Sequence, residues 1–200
     1  MRERLLVFTR LPVAGQVKTR LIPALGAAGA AALHRRLAER TLATARSFVG
    51  GRPTGLEVWY TGGNARAARG WLGDGAGYHR QPAGDLGRRL ALAFAKSFAT
   101  KARRVVLVGT DCPDLTEEIL AQAFAGLAMV DVVLGPAADG GYYLVGLARE
   151  QPGLFVDIDW GTGLVLEQTR AAIARHGLSY QLLPCLADVD RPVDLAAWTG

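Results

Sequence analysis

Lys18 and Arg20 stand in a loop, Arg10-Leu11-Pro12-Val13-Ala14-Gly15-Gln16-Val17-Lys18-Thr19-Arg20-Leu21, that directly follows the apolar run Leu5 to Thr9. Cations and a hydroxyl beside a glycine, just past a first strand, are the equipment of a phosphate site. Exposed backbone N–H groups cradle the oxygens while the side chains offset the charge. Pro12, Gly15, Lys18, Thr19 and Arg20 are the candidate nucleotide contacts. The loop has neither the Walker nor the dinucleotide-fingerprint spacing, because Gly15 is its only glycine. A merely solvated basic loop has the same composition.

A second group follows another apolar run. In Val105-Val106-Leu107-Val108-Gly109-Thr110-Asp111-Cys112-Pro113-Asp114-Leu115 a buried strand delivers Asp111 to a sheet edge. A carboxylate there is a hard oxygen ligand for magnesium or manganese carrying a diphosphate. The competing reading makes Asp111 a helix cap near Pro113, although Asp114 and Thr116 suit that role better. Ala187-Asp188-Val189-Asp190-Arg191-Pro192 offers a further acidic pair. Asp190 either converges with Asp111 on one metal or caps a terminal helix opened by Pro192, and both readings stand.

In Gly135-Pro136-Ala137-Ala138-Asp139-Gly140-Gly141-Tyr142-Tyr143 the glycines allow the backbone close to a sugar or phosphate, and Asp139 can accept from substrate hydroxyls. A tight turn with Tyr142 and Tyr143 on opposite faces leaves the same trace. Gln81 to Arg89, a polar lead punctuated by Gly84 and Gly87, could contact a base or ribose, and a plain cap by Asp85 is the simpler reading. Trp160 and Thr162 line an acceptor pocket or fill a core edge. His34, His79 and His176 show no pairing with a Ser or Cys nucleophile, and Cys112 reads as a small buried residue.

Positioning such groups requires alternating strands and helices. Strands are expected at Leu5–Thr9, Leu56–Tyr60, Arg104–Gly109, Asp131–Gly135, Tyr142–Gly146 and Ser179–Leu183. Helical spacing covers Ala27–Phe48, Asn64–Leu72, Asp85–Phe98, Glu117–Leu127 and Leu164–His176, with Thr116 as one cap and Gly177 as one stop. Strands apolar at every position, such as Val105–Val108, imply a parallel sheet covered on both faces, hence α/β layers.

The 200 residues suit one domain spanning 1–200, without repeats or linkers. With 50% hydrophobic and 20% charged residues, disorder, collagen-like repeats and a long coiled coil are excluded. The net charge of +5 raises the question of a nucleic-acid partner. The arginines are spread from Arg2 to Arg191 instead of clustering, so a solvated basic surface is the expectation. No apolar stretch reaches the roughly 20 residues of a membrane span. Two cysteines without ligand spacing, and no signal peptide before Leu5, lead us to expect a reduced, cytoplasmic protein.

Taken in order, Pro12-x-x-Gly15-x-Val17-Lys18-Thr19-Arg20-Leu21, Gln81 with Gly84-Asp85-Leu86-Gly87, Gly109-Thr110-Asp111-Cys112-Pro113, Asp139-Gly140-Gly141-Tyr142-Tyr143, Trp160-x-Thr162 and Asp188-Val189-Asp190-Arg191-Pro192 resemble a family of small bacterial GT-A-type, glycosyltransferase-like proteins. Some members are associated with arsenosugar biosynthesis, and the likeness spans nearly the whole chain. It extends to nucleotide-diphospho-sugar transferases and small nucleotidyltransferases, implying a three-layer α/β sandwich with a mostly parallel central sheet. By resemblance Gly15, Lys18 and Arg20 hold phosphates, and Asp111 and Asp190 hold the metal, with Asp188 as the rival of Asp190. Gln81, Asp85 and Gly87 face the base or ribose; Asp139, Gly140, Gly141 and Tyr142 face the donor sugar or acceptor. Arg10 stands where many relatives carry Lys, and its fork grips phosphate differently. Arg191 stands where Thr is common, so no hydroxyl contact carries over there.

Three functions compete. The first is a glycosyltransferase using a nucleotide-diphospho-sugar and magnesium or manganese, with Lys18 and the metal offsetting leaving-group charge and Asp139 activating a small-molecule acceptor. The second is a nucleotidyltransferase, in which an acceptor phosphate attacks a nucleoside triphosphate and pyrophosphate leaves. The third is a noncatalytic nucleotide-sugar binder, disfavoured because a binder has less need of paired metal carboxylates.

Overall fold

A computed structural model of the chain describes residues 3–196. Seven strands form one sheet in the order β3-β2-β1-β4-β6-β5-β7. They are β1 (Glu3–Arg10), β2 (Thr54–Thr61), β3 (Gly77–Arg80), β4 (Arg104–Val108), β5 (Val132–Pro136), β6 (Tyr142–Leu147) and β7 (Tyr180–Leu182). Every neighbouring pair is parallel except those made by β6, which runs against both β4 and β5. The mostly parallel expectation therefore holds, with β6 as the one reversed strand.

Five helices cover the sheet: α1 (Ile22–Gly50), α2 (Ala65–Leu72), α3 (Leu86–Ala99), α4 (Glu117–Gly126) and α5 (Val165–Arg175). Leu42, Ala45 and Phe48 of α1 pack with Leu120, Ala123 and Phe124 of α4 on the face that carries Leu5, Val7, Val106 and Val108. The opposite face, with Leu6, Phe8, Val105 and Leu107, receives Leu90 and Phe94 of α3 and Ala172 and Ile173 of α5. Each strand thus feeds two cores, which is why its apolar run has no polar alternation. Fully buried side chains such as Phe94 and Leu120 contribute about 1.5–3 kcal/mol apiece relative to exposure.

The local signals act as their chemistry dictates. Thr116 Oγ1 accepts from Ile119 N at 3.4 Å, capping α4. Gly177 takes φ +62° just beyond α5. Helix α1 is interrupted at Gly26 (φ +68°), so the regular helix begins where the apolar spacing begins, at Ala27. Two expectations need correction. Strand β3 is not among the expected strands because Gly-Tyr-His-Arg is short, polar and only half covered at the sheet edge. Among the described residues the segment after Pro192 is a 3-10 stretch, Pro192–Ala196, and Asp194 within it accepts from Asp190 N and Arg191 N ahead of it.

Strand β1 lies between β2 and β4, so the chain leaves it in opposite directions on its two sides. Such a switch opens a crevice at the carboxyl ends of the strands, where α/β folds take ligands. The Lys18 loop follows β1 and the Asp111 loop follows β4, so both open into that crevice.

Candidate functional site

The crevice is built from the ends of β1 and β4, the β5–β6 turn and the segment following β7. The last of these is pinned by main chain: Leu186 N donates to Pro136 O, Ala138 N to Leu186 O and Val189 N to Asp111 O. Val189 is buried in a small cluster with Leu21, Leu33 and Leu37. Its flanking carboxylates meet in one cavity with Arg20, Asp139 and Arg191, while Asp190 also borders the cavity of the Lys18 loop and Asp188 the one that Asp111 and Asp139 edge.

On the cationic side, Arg10, Lys18, Thr19, Arg20 and His34 line a cavity with Asp111 and Asp190. Lys18 has a left-handed backbone (φ +46°), and its side chain is only 3% exposed. Its ammonium lies 2.5 Å from Asp111 Oδ1 and 3.6 Å from Asp190 Oδ1. Arg20 Nη1 meets Asp190 Oδ2 at 2.6 Å. Asp190 therefore pairs with cations, and its side chain caps no helix among the described residues. Arg10 donates to Gln16 O and Thr61 Oγ1, bracing the loop. Pro12 and Gly15 form the preceding turn and do not line this cavity, whereas Lys18, Thr19 and Arg20 do.

The second cavity has a different character. Leu86, Tyr142, Trp160 and Val165 supply apolar surface, with Asp111, Asp139 and Asp188 at its polar edge. Trp160 meets Tyr142 edge-on, ring centroids 6.2 Å apart and planes at 85°. The Tyr142 hydroxyl is buried near Thr169, so the residue offers the cavity its ring. Tyr143 faces the other core, as a tight turn requires. Asp139 Oδ1 accepts from Gly141 N at 2.8 Å, fixing that turn. The Thr162 hydroxyl donates to Asp159 O and accepts from Leu164 N, which holds its own loop against the cavity.

Burial, and next the neighbouring Asp139, raise the Asp188 carboxyl above its ordinary range. Neither Asp188 nor Asp139 forms an ion pair among the described residues, although Arg20 and Arg191 line a cavity with both. Burial, followed by Asp188 and Asp111, drives the Cys112 thiol far up, so it is no thiolate nucleophile.

The Gln81 segment is not gathered at the Lys18 loop. Asp85 caps α3 by accepting from Arg88 N, and with Gly87, Arg88 and Trp160 it lines a neighbouring groove. Gly87 is required by packing, since a Cβ there would overlap Phe155 O and crowd the Trp160 indole nitrogen. Gln81 is buried, and its amide nitrogen donates to Thr9 O at 3.3 Å and Trp59 O at 2.8 Å, tying the ends of β1 and β2. Gln81→Leu would remove both of these buried hydrogen bonds, at about 0.5–1.5 kcal/mol each. A thermal melt should show Tm falling by several degrees.

Sequence reasoning weighed His34 only as part of a triad. In the fold it stands behind the Lys18 loop, its Nε2 2.8 Å from Arg10 O. A carbonyl only accepts, so Nε2 is the nitrogen that carries the proton when the ring is neutral. Burial is the largest influence and lowers its pKa below 6.5, against the opposing pull of the Arg10 carbonyl. The unfolded chain therefore binds the extra proton first, and His34 removes stability as pH falls through and below about 6.5. Chemical denaturation at pH 7 and pH 5 should show His34→Gln losing less stability on acidification than the wild type.

A mostly parallel sheet with this switch point and a cation loop facing edge carboxylates defines the nucleotide-diphospho-sugar transferase-like fold, also called GT-A-like. Residues 44–162 match the family described as "uncharacterized protein conserved in bacteria (DUF2064)", and the chain belongs to that family. A crystal structure from Desulfovibrio desulfuricans G20, provisionally described as a nucleotide-diphospho-sugar transferase, is 34% identical, covers 95% of this chain and 83% of its own, and superposes with a TM-score of 0.87. At the level of fold alone, glucosyl-3-phosphoglycerate synthase from Mycobacterium tuberculosis with Mn2+, UDP and phosphoglyceric acid matches at TM-score 0.60, 15% identity, 98% of this chain and 74% of that one. CMP:2-keto-3-deoxy-manno-octonic acid synthetase with CTP matches at TM-score 0.57, 12% identity, 98% of this chain and 96% of that one. No curated protein matches the chain. Among the described residues no helix is long and apolar enough to cross a membrane.

Proposed function

We propose that the protein is a glycosyltransferase taking a nucleotide-diphospho-sugar donor with magnesium or manganese. The observation that carries this reading is that two unlike lobes meet at Asp111, which borders both. The lobe with Lys18, Arg20 and Arg10 suits a diphosphate. The lobe with Trp160 and Tyr142 suits a sugar ring, whose apolar face packs on aromatic surface while its hydroxyls donate to carboxylates.

The residues fit a divalent ion. Asp111 is half exposed, and Asp188 and Asp139 form no ion pair among the described residues. Magnesium needs only one or two protein carboxylates when phosphate oxygens and water complete its shell, and no larger metal-ligating cluster occurs among the described residues. Asp111 with Asp190, or with Asp188, would hold it. Bound there, the ion would neutralise charge on the departing nucleoside diphosphate. Lys18 and Arg20 add fixed positive charge at the same oxygens, preorganised by the loop. Asp139, anchored through Oδ1, keeps Oδ2 for the proton of an acceptor hydroxyl.

The sugar-side lobe also bears on the nucleotidyl alternative. Its described lining residues include no Lys, Arg or His, but Arg20 and Arg191 line an adjoining cavity with Asp139 and Asp188, so countercharge for an acceptor phosphate is at hand and the product decides between the two transfers. The test is a thermal-shift panel of nucleoside di- and triphosphates and nucleotide sugars with and without manganese, followed by product analysis. A nucleotide sugar at 100 times its Kd should add about 2.7 kcal/mol, with metal only, and turnover should release a nucleoside diphosphate. Preference for a triphosphate with release of pyrophosphate would replace this reading with nucleotidyl transfer.

A further inference from the structure

Three of the four oxygens on Asp111 and Asp190 already face a cation. The Lys18 ammonium takes Asp111 Oδ1 at 2.5 Å and Asp190 Oδ1 at 3.6 Å, and Arg20 takes Asp190 Oδ2 at 2.6 Å. The Lys18 side chain is 3% exposed, whereas Asp111 and Arg20 are 51% and 56% exposed. Although close, the ammonium meets neither carboxylate in satisfactory hydrogen-bond geometry. Its backbone is held in the left-handed region, which aims the stem at the gap between the two acids.

We propose that Lys18 is a resident counter-cation that keeps the Asp111–Asp190 pair closed to a divalent metal until a diphosphate draws the ammonium away, so that metal and nucleotide bind together. The inference rests on the metal-assisted reading above. A divalent ion entering between the same oxygens would sit beside an unrelieved positive charge. An arriving diphosphate changes this in two ways. Its oxygens give the poorly satisfied ammonium a tetrahedral acceptor, and they add ligands to the metal shell. Each ligand therefore removes the obstacle to the other, and by linkage the gain is mutual. Asp188 and Asp139, which have no such cation, cannot produce this coupling.

The test is manganese binding followed by loss of the free-ion EPR signal. Manganese alone should bind Lys18→Met about tenfold tighter than wild type, and Lys18→Met/Asp111→Asn should lose the gain. In wild type, UDP should tighten manganese about tenfold after subtraction of the Mn–UDP complex formed in solution. That arm needs no variant, and Lys18→Gln repeats the first arm if the Met variant fails to fold. A folded Lys18→Met with unchanged or weaker manganese affinity overturns the proposal, as does a wild type indifferent to UDP. If UDP and manganese together stabilise wild type while either of these holds, the transferase reading survives alone. If manganese binds none of the proteins with or without UDP, both fall.

Discussion

Asp111→Asn is expected to lower metal-dependent nucleotide binding and turnover by about 100-fold or more, because one substitution removes a hard ligand at the point where the two lobes meet. Asparagine preserves shape, so the loss reports charge. The variant also strips Lys18 of its nearest partner, leaving Asp190 at 3.6 Å. Half-exposure of Asp111 screens the pair, so the stability cost is about 1 kcal/mol and the protein should remain folded. Asp114→Asn is the control: it lies in the same loop, lines a different groove beside Arg40, and should change binding by less than about twofold. Isothermal titration with nucleoside diphosphate and manganese checks both. Equal behaviour of the two variants would remove Asp111 from the metal site.

Gly140→Ala is the second large effect, and it acts through backbone. Gly140 has φ +87°, and a Cβ would overlap the carbonyl of Gly163. Its own carbonyl accepts from Leu166 N, clamping the β5–β6 turn to the start of α5. Alanine must therefore both adopt an unfavourable φ and push apart two loops. The expected cost is about 3 kcal/mol, or roughly a 6–12 °C fall in Tm for a chain of this size. Asp139 and Trp160 sit on the separated loops, so sugar binding should weaken even where the fold survives. An unchanged Tm would mean that the turn relaxes freely and does not clamp the cavity.

Much of this site is legible in residue order because each half of it is local. Asp111 is visible as a carboxylate leaving an unbroken apolar strand, and Lys18 as a cation in the loop after the first one. Thr116 and Gly177 announce their helix ends by their own chemistry. What was hidden depends on distant partners. Nothing near Lys18 says that Asp190 will face it, since that meeting requires Val189 to donate to Asp111 O. Gln81 reads as a polar ligand contact because its acceptors, Thr9 O and Trp59 O, lie on two other strands. His34 carries no local mark of the Arg10 carbonyl it supports. Edge strand β3 lacks the apolar run that betrays its neighbours, being held by pairing to β2.

The parallel pairing of β5 with β7, and the Val189 tether beyond it, also fix when the site can exist. During synthesis β1, β2 and β4 emerge and can pair long before residues 186–190 leave the ribosome. A nascent chain at that stage exposes Lys18 and Asp111 to each other but has no Asp188 or Asp190. Competence to gather the proposed metal, phosphate and sugar in one place would therefore arrive in a single late step, and an unfinished or C-terminally clipped chain would be a sheet without that site.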